Sequence, residues 1–236
     1  MCHPNRSANM PAPGDYQAKE ADGLKYREYR SADTGTDRRV AIITDIFGCN
    51  EFYQSFATYL AQRGWHALLI DLFSDLGELP EVTREAAFER RHKLRDGKIC
   101  DSLQAFVKNR KVDAVIGFCL GGNYIFELAN RNVDARLVAF YPFPAGLPNQ
   151  DELTPAFEYL DQLERHVTVL AGGQDDSAGR DNMVRLAEEA LAVPALEVHL
   201  YQKSGHGFLA QLDSNDETQR RNAEDALAVC LKAIEG

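Results

Sequence analysis

Short apolar runs alternate along the chain with segments whose apolar residues recur at helical spacing. Several of these runs are continuously apolar, which is typical of strands that are covered on both faces. The predicted strands are residues 24–29, 40–44, 67–71, 112–118, 137–141, 167–171 and 196–201.

Helical periodicity fills the intervals between these runs. Phe52, Phe56 and Leu60 recur every four residues, and residues 120–130 predict a further helix. The same periodicity occurs in three more groups: Cys100, Leu103, Phe106 and Val107; Met183, Leu186 and Leu191; and Leu227, Cys230, Leu231 and Ile234. Alternating strands and helices predict an α/β fold with a mostly parallel central sheet and helices on both faces.

Composition narrows the function classes. The 236 residues carry a formal charge of −10, which disfavours nucleic acid as a partner. No apolar run reaches the roughly 20 residues that span a bilayer, and the polar N-terminus lacks a secretory signal. Five widely spaced cysteines without a CxxC pair predict neither a disulfide framework nor a zinc site. We expect a cytoplasmic protein without cofactor or metal, a monomer or homodimer, that acts on a small molecule.

A glycine-framed cysteine stands at one predicted strand-to-helix junction. Cys119 lies within Gly117-Phe118-Cys119-Leu120-Gly121-Gly122, between strand 112–118 and helix 120–130. This Gly-x-Cys-x-Gly pattern matches the nucleophile elbow of α/β-hydrolases, with sulfur in place of the serine oxygen. Glycines suit the close backbone approach at such a turn, and a helix N-terminus favours a thiolate. We predict that Cys119 is the nucleophile of an α/β-hydrolase fold, with a flexible leader at 1–14 and one domain at 15–236.

An elbow nucleophile needs an acid and then a histidine, in that order, further along the chain. Strand 167–171 is followed by Gly172-Gly173-Gln174-Asp175-Asp176, and strand 196–201 by a loop with His206 between two glycines. We predict His206 as general base and Asp175 as its orienting acid, with Asp176 as an alternative acid. Structural roles are expected for the remaining candidates His66, His92, His166 and His199.

The loop after strand 40–44 is the predicted oxyanion loop. In this architecture it provides one backbone amide to the oxyanion hole, and the residue after the nucleophile provides the other. The predicted donors are the N–H groups of Ile46 and Leu120. The simplest role of Asp45 is that of a turn or capping residue before a helix that begins near Glu51.

Four segments together resemble the signature segments of the dienelactone hydrolase (carboxymethylenebutenolidase) family. They are Asp45-Ile46-Phe47-Gly48-Cys49-Asn50, Gly117-Phe118-Cys119-Leu120-Gly121-Gly122, Gly172-Gly173-Gln174-Asp175 and Gly205-His206-Gly207-Phe208. Their order and approximate spacing agree from about residue 24 onward. The resemblance implies a hydrolase of enol-lactones or small esters, with a triad of Cys119, His206 and Asp175 and a thioester acyl-enzyme.

The resemblance also implies roles outside the triad. The family usually has glutamate at the position of Asp45, implicated in forming the thiolate, so Asp45 is expected to be an activating carboxylate one methylene shorter. Family members hold the substrate carboxylate with arginines, and Arg84 resembles one of them. Phe88 and Phe208 are further candidate substrate contacts. Ala210 occupies the position of the second arginine.

These departures leave two alternatives open. The loss of an arginine at Ala210 favours an esterase retuned to a neutral or bulkier ester, because bidentate guanidinium binding selects carboxylates. Asp45, together with the extra thiol of Cys49 in the same loop, is the motive for a non-hydrolytic binding or redox-responsive module.

Overall fold

The computed structural model describes residues 9–31 and 35–236 of the chain. The strands are β1 (Gln17–Ala21), β2 (Leu24–Tyr29), β3 (Arg39–Ile43), β4 (His66–Asp71), β5 (Ala114–Phe118), β6 (Arg136–Phe140), β7 (Val167–Gly172) and β8 (Leu196–Tyr201). The α-helices are α1 (Glu51–Ala61), α2 (Arg84–Arg91), α3 (Asp96–Arg110), α4 (Leu120–Asn130), α5 (Arg180–Ala190) and α6 (Glu217–Glu235). Short 3-10 helices occupy Ala156–Glu158, Leu160–Gln162 and Phe208–Asp213.

The strands form one 8-stranded sheet in the order β1-β2-β4-β3-β5-β6-β7-β8. From β3 to β8 all neighbouring strands are parallel, while β1 and β2 pair antiparallel at one edge. Every residue of β5 and of β7 is buried, so both faces of the central sheet are covered. The predicted α/β-hydrolase fold class is confirmed.

The register brings the carboxyl ends of the central strands together. Ile43 of β3 pairs with Gly117 of β5, and Phe118 pairs with Phe140 of β6. The loops after these strands therefore leave the sheet at the same edge, where α/β folds place their sites. All the segments singled out in the sequence follow strands of this parallel group.

Two local features differ from the sequence prediction. β1 was not predicted, because its residues are mostly exposed and polar and its pairing with β2 is antiparallel. Leu191, placed on the apolar stripe of α5, is 90% exposed. Leu191 is the C-cap residue and still has helical backbone angles, but it follows Leu186 by five residues and so lies on a different face from Met183 and Leu186.

The predicted flexible leader is described only in part, since residues 1–8 lie outside the described residues. Met10 is 3% exposed within the core, and the side chain of Asn9 donates to the Leu212 carbonyl. The Gly14 amide donates to Thr58 Oγ1 at 2.8 Å. Asn9, Met10 and Gly14 therefore contact the domain, while Ala12 and Pro13 between them are exposed.

Candidate active site

Cys119 occupies the single-residue turn between β5 and α4. Its backbone has φ 55° and ψ −109°, outside the regions that a side chain favours, and the residue is 2% exposed. Such geometry costs about 1–3 kcal/mol and persists only where neighbours enforce it. Here the Cys119 amide donates to the Phe140 carbonyl and its carbonyl accepts from Gly122 N, both at 3.0 Å.

Two glycines permit this turn. A Cβ added at Gly117 would lie 2.2 Å from the Gly121 carbonyl oxygen, and one added at Gly121 would lie 2.3 Å from the Ile43 oxygen. Side chains cannot occupy either space, so the helix approaches β3 and β5 only with glycine at both positions. The close backbone approach that was expected to require these two glycines is confirmed.

The side chains predicted as acid and base, Asp175 and His206, come from the loops after β7 and β8. Asp175 Oδ2 lies 2.7 Å from His206 Nδ1, while its Oδ1 accepts the amides of Ser177 and Ala178 at 2.9 Å. Asp175 is completely buried, and the His206 side chain is 5% exposed. A carboxylate held by two amides fixes which ring nitrogen of His206 carries the proton toward it.

Asp176 faces away from this pair. Its side chain is exposed and forms an ion pair with Arg180 at 2.7 Å, and a hydrogen bond from that arginine lowers the pKa of Asp176. Of the two adjacent aspartates considered in the sequence, only Asp175 contacts His206. The alternative acid is therefore wrong.

One cavity of about 80 Å³ is lined by both Cys119 and His206. It is lined by Ile46, Phe47, Arg84, Phe88, Cys119, Phe143, Ser177 and His206. Arg84 is exposed and its guanidinium lies 5.3 Å from the centre of the Phe88 ring. The lining of the cavity is thus largely aromatic, and Arg84 contributes a positive charge to it.

The imidazole of His206 is wedged among aromatic rings. Its ring centroid lies 5.1 Å from that of Tyr141 and 5.2 Å from that of Phe143. Phe208, predicted to contact substrate, does not line the cavity. It is 2% exposed and packs against Tyr141 and Tyr201. It therefore contacts the Tyr141 ring that packs against His206 instead of contacting the cavity.

The predicted oxyanion loop is folded tightly by Asp45. This residue is completely buried, and its Oδ1 accepts the amide of Phe47 at 2.8 Å while its carbonyl accepts Gly48 N at 3.2 Å. The turn role expected for Asp45 is confirmed. Ile46 lines the cavity, and Leu120 is the first residue of α4, whose amide has no acceptor within the helix.

Cys49 belongs to a different cavity. Its Sγ lies 3.4 Å from the Ile70 carbonyl and lines a neighbouring space of about 430 Å³, and burial raises the pKa of its thiol. Cys49, Cys100, Cys119 and Cys230 are free thiols. The redox alternative, which needs Cys49 close to Cys119, gains nothing from this arrangement.

Besides Phe47, which lies in a predicted loop but received no role there, three residues of the site were missed in the sequence. Phe143 and Ser177 follow β6 and β7, so the rule that sites gather at strand ends could have found them. Arg90 is 8% exposed and donates from Nη2 to the Ile46 carbonyl at 3.2 Å. No sequence pattern distinguishes this buried arginine from a solvated one.

Comparison with known proteins identifies the family. The model of the dienelactone hydrolase family matches residues 28–235. The chain belongs to the dienelactone hydrolase family. It is thus a carboxylic ester or lactone hydrolase, and the resemblance stated from its four segments is confirmed.

Individual relatives agree with this assignment. Carboxymethylenebutenolidase 2 of Cupriavidus pinatubonensis is 45% identical over 238 residues, covering 100% of both chains. Carboxymethylenebutenolidase of Rhodococcus opacus is 29% identical and covers 96% of this chain and 93% of its own. A crystal structure of a putative dienelactone hydrolase from Klebsiella pneumoniae superposes with a TM-score of 0.76 over 94% of this chain and 99% of the other, at 19% identity.

Among residues 9–31 and 35–236, no helix has the length and apolar character needed to cross a bilayer. The same residues contain no cluster of three His, Cys, Asp or Glu side chains that could hold a metal ion.

Proposed function

We propose that this hydrolase cleaves small enol-lactones or carboxylic esters through an acyl-enzyme on Cys119. The observation that carries the proposal is the shared 80 Å³ cavity, where the strained Cys119 and His206 meet while Asp175 holds the imidazole at 2.7 Å. These three side chains come from loops after β5, β7 and β8. A nucleophile, an orienting carboxylate and a base, in this order along the chain, are the parts that acyl transfer requires.

The proposed chemistry has two steps. Cys119 Sγ attacks the substrate carbonyl carbon, and His206 takes the thiol proton and returns it to the leaving oxygen as the thioester forms. A water molecule then attacks the thioester while His206 accepts its proton, and Cys119 leaves as the thiol. The carbonyl oxygen becomes an oxyanion in both steps, and the amides of Ile46 and Leu120 are its proposed donors. Each such donor contributes about 3 kcal/mol to the transition state.

Asp45 is the proposed activating carboxylate, in addition to its hydrogen bond with Phe47. It is buried directly after β3, and its Oδ1 accepts the Phe47 amide at 2.8 Å. A negative charge beside a thiol discourages the thiolate, so activation requires the Asp45 charge to be offset when substrate binds.

Arg84 and Phe88 are the proposed substrate contacts. Both lie on α2 and line the cavity, where the guanidinium of Arg84 can bind a carboxylate. The 45% identical relative from Cupriavidus pinatubonensis is named carboxymethylenebutenolidase 2, which supports a carboxylate-bearing lactone as substrate. The aromatic lining and Ala210 favour the second candidate, a neutral or bulkier ester. With alanine in place of the second arginine, a substrate carboxylate is bound by Arg84 alone, and more of the binding energy comes from apolar contacts.

The test compares wild type with Cys119→Ala on an enol-lactone that bears a carboxylate and on its methyl ester. We expect Cys119→Ala to abolish turnover of both, and rapid quenching of the wild-type reaction to reveal a mass increase of one acyl group on Cys119. Cys230→Ala, which removes a buried thiol on α6, is the matched control and should keep full activity.

Undiminished hydrolysis by folded Cys119→Ala would contradict the proposed nucleophile. The ratio of kcat/KM for the acid and its methyl ester separates the two substrate candidates. A ratio of about 10 or more in favour of the acid supports binding by Arg84, as expected for one lost charged contact.

A further inference from the structure

Arg90 lies on α2 with its guanidinium buried between two loops. The residue is 8% exposed, Nη2 donates to the Ile46 carbonyl at 3.2 Å, and Nη1 donates to the Gly77 carbonyl at 3.1 Å. Its guanidinium carbon also lies 4.2 Å from the centre of the Phe73 ring. A planar guanidinium with two such bonds holds its partners in a fixed geometry.

The hydrogen bond from Arg90 to the Ile46 carbonyl helps to hold one peptide unit at both of its polar ends. The peptide between Ile46 and Phe47 donates its N–H to Asp45 Oδ1 at 2.8 Å and receives the Arg90 bond at its C=O. Because a peptide unit is planar, holding both polar ends fixes its orientation. The neighbouring amide, Ile46 N–H, is one Cα away and is the proposed oxyanion donor. Its direction therefore depends on a peptide that Arg90 and Asp45 hold together.

The burial of this charge also requires an explanation. Both hydrogen bonds from the Nη atoms go to peptide carbonyls rather than to a carboxylate. Burial lowers the pKa of Arg90, and the nearby Asp71 and Cys49 oppose that shift. Burying a cation that binds only backbone carbonyls costs more desolvation free energy than burying an apolar side chain of the same size. This cost favours a role for Arg90 in orienting the loop.

The same helix forms the wall of the cavity. Arg84 and Phe88 of α2 line the 80 Å³ cavity, and Arg90 lies two residues after Phe88. We propose that Arg90 is a positioning residue that fixes the Ile46 amide of the oxyanion hole and ties it to the substrate-binding helix. This inference rests on the proposed function, since it assigns Arg90 to the transition state of that reaction.

The experiment measures kcat and KM for Arg90→Met and Arg90→Lys on an activated ester. Met preserves the length and apolar packing of the stem but removes both donors, and we expect kcat to fall about 10- to 100-fold, because losing or misplacing an oxyanion donor costs that much or more. KM should change less than about 3-fold, because the interaction strengthens only in the transition state. Lys offers a single ammonium in place of the fork and should restore part of kcat.

Alkylation of Cys119 by iodoacetamide provides a readout that does not use the oxyanion hole. Its rate should be the same in wild type, Arg90→Met and the matched α2 control Glu89→Gln, an exposed neighbour that should also keep full kcat. Wild-type kcat in folded Arg90→Met overturns the inference. A rise in KM alone, or slower alkylation in parallel with kcat, also overturns it, since the first indicates substrate binding and the second general damage.

Failure of the proposed function gives a different result. It appears as activity retained by Cys119→Ala, which does not depend on Arg90. The two measurements therefore report separately on the nucleophile and on the positioning of the oxyanion loop.

Discussion

The two carboxylate oxygens of Asp175 have different partners, and this division defines its role at the scale of the residue. Oδ1 accepts two backbone amides at 2.9 Å, while Oδ2 faces His206 Nδ1 at 2.7 Å. The amides hold the carboxylate still, so the second oxygen presents a fixed acceptor to the ring. The imidazole is then forced to carry its proton on Nδ1 and to leave Nε2 as the base.

Replacing Asp175 by asparagine should therefore disable the base while preserving its shape. The amide oxygen can keep the two backbone bonds, which turns the NH₂ group toward His206 Nδ1 and favours the wrong tautomer. We expect kcat to fall about 10⁴-fold, as in triads where the same change was made. Steady-state hydrolysis of an activated ester measures it.

Asp176→Asn is the matched control, because it makes the same chemical change one residue away. Asp176 is exposed and pairs only with Arg180 among the described residues, so its kcat should remain within about 2-fold of wild type, as is usual for surface substitutions. Equal activity of the two variants would contradict the assigned acid.

The proposed triad residues could be picked out from the sequence because each is marked by its neighbours. Cys119 has the glycines that its turn demands, and Asp175 and His206 each follow a strand through a glycine. Phe208 carried the same kind of signal, yet it is buried behind the base. A motif locates a loop, whereas the direction of each side chain within that loop depends on packing that only the structure provides.

At the scale of elements, the loop from β3 to α1 separates two cavities. Phe47 lines both the 80 Å³ cavity with Cys119 and the neighbouring 430 Å³ cavity that contains Cys49. The side chain is half-buried, and its backbone amide is fixed by Asp45. Its side chain thus lines both cavities. Truncating this side chain leaves the hydrogen bond from the Phe47 amide to Asp45 intact.

Phe47→Ala should widen the acyl groups that the enzyme accepts. With the ring gone, a bulky acyl group can extend toward the larger cavity, and we expect kcat/KM for a benzoate ester to rise about 10-fold relative to the acetate ester of the same alcohol. Measuring both esters cancels any general loss of activity. Phe157→Ala, which removes another half-buried phenylalanine that packs under Arg185, should leave the ratio unchanged. An unchanged ratio in Phe47→Ala would show that the two cavities stay separate.

The elements themselves were predictable to different degrees. The parallel strands were found within about two residues of their ends, because burial on both faces demands continuous apolar runs. The edge strand β1 carries no such demand and was missed. α2 has two buried arginines, Arg90 and Arg91, where an apolar stripe would be expected. The apolar residues of α2 therefore do not recur at helical spacing in the sequence, because two of its buried positions are arginines held by polar contacts.

At the scale of the whole molecule, burial keeps several acidic groups protonated. The pKa values of the Cys100 and Cys230 thiols are raised by desolvation, and both side chains are completely buried. Tyr124 and Tyr159 behave in the same way at higher pH. These groups ionise at their ordinary values once the chain unfolds, so the folded and unfolded states hold different numbers of protons in alkaline solution.

The stability of the fold should accordingly decrease as the pH rises above about 8.5, the ordinary pKa of a thiol. Above that value the unfolded chain loses the thiol protons of Cys49, Cys100 and Cys230 while the folded chain retains them, so the free energy of unfolding falls. One pH unit higher, each thiol accounts for about 1.4 kcal/mol. Urea denaturation at pH 7.5 and 9.5 under reducing conditions measures the difference. The double variant Cys100→Ala, Cys230→Ala starts less stable but should show a smaller decrease, and an equal decrease would mean that other groups are responsible.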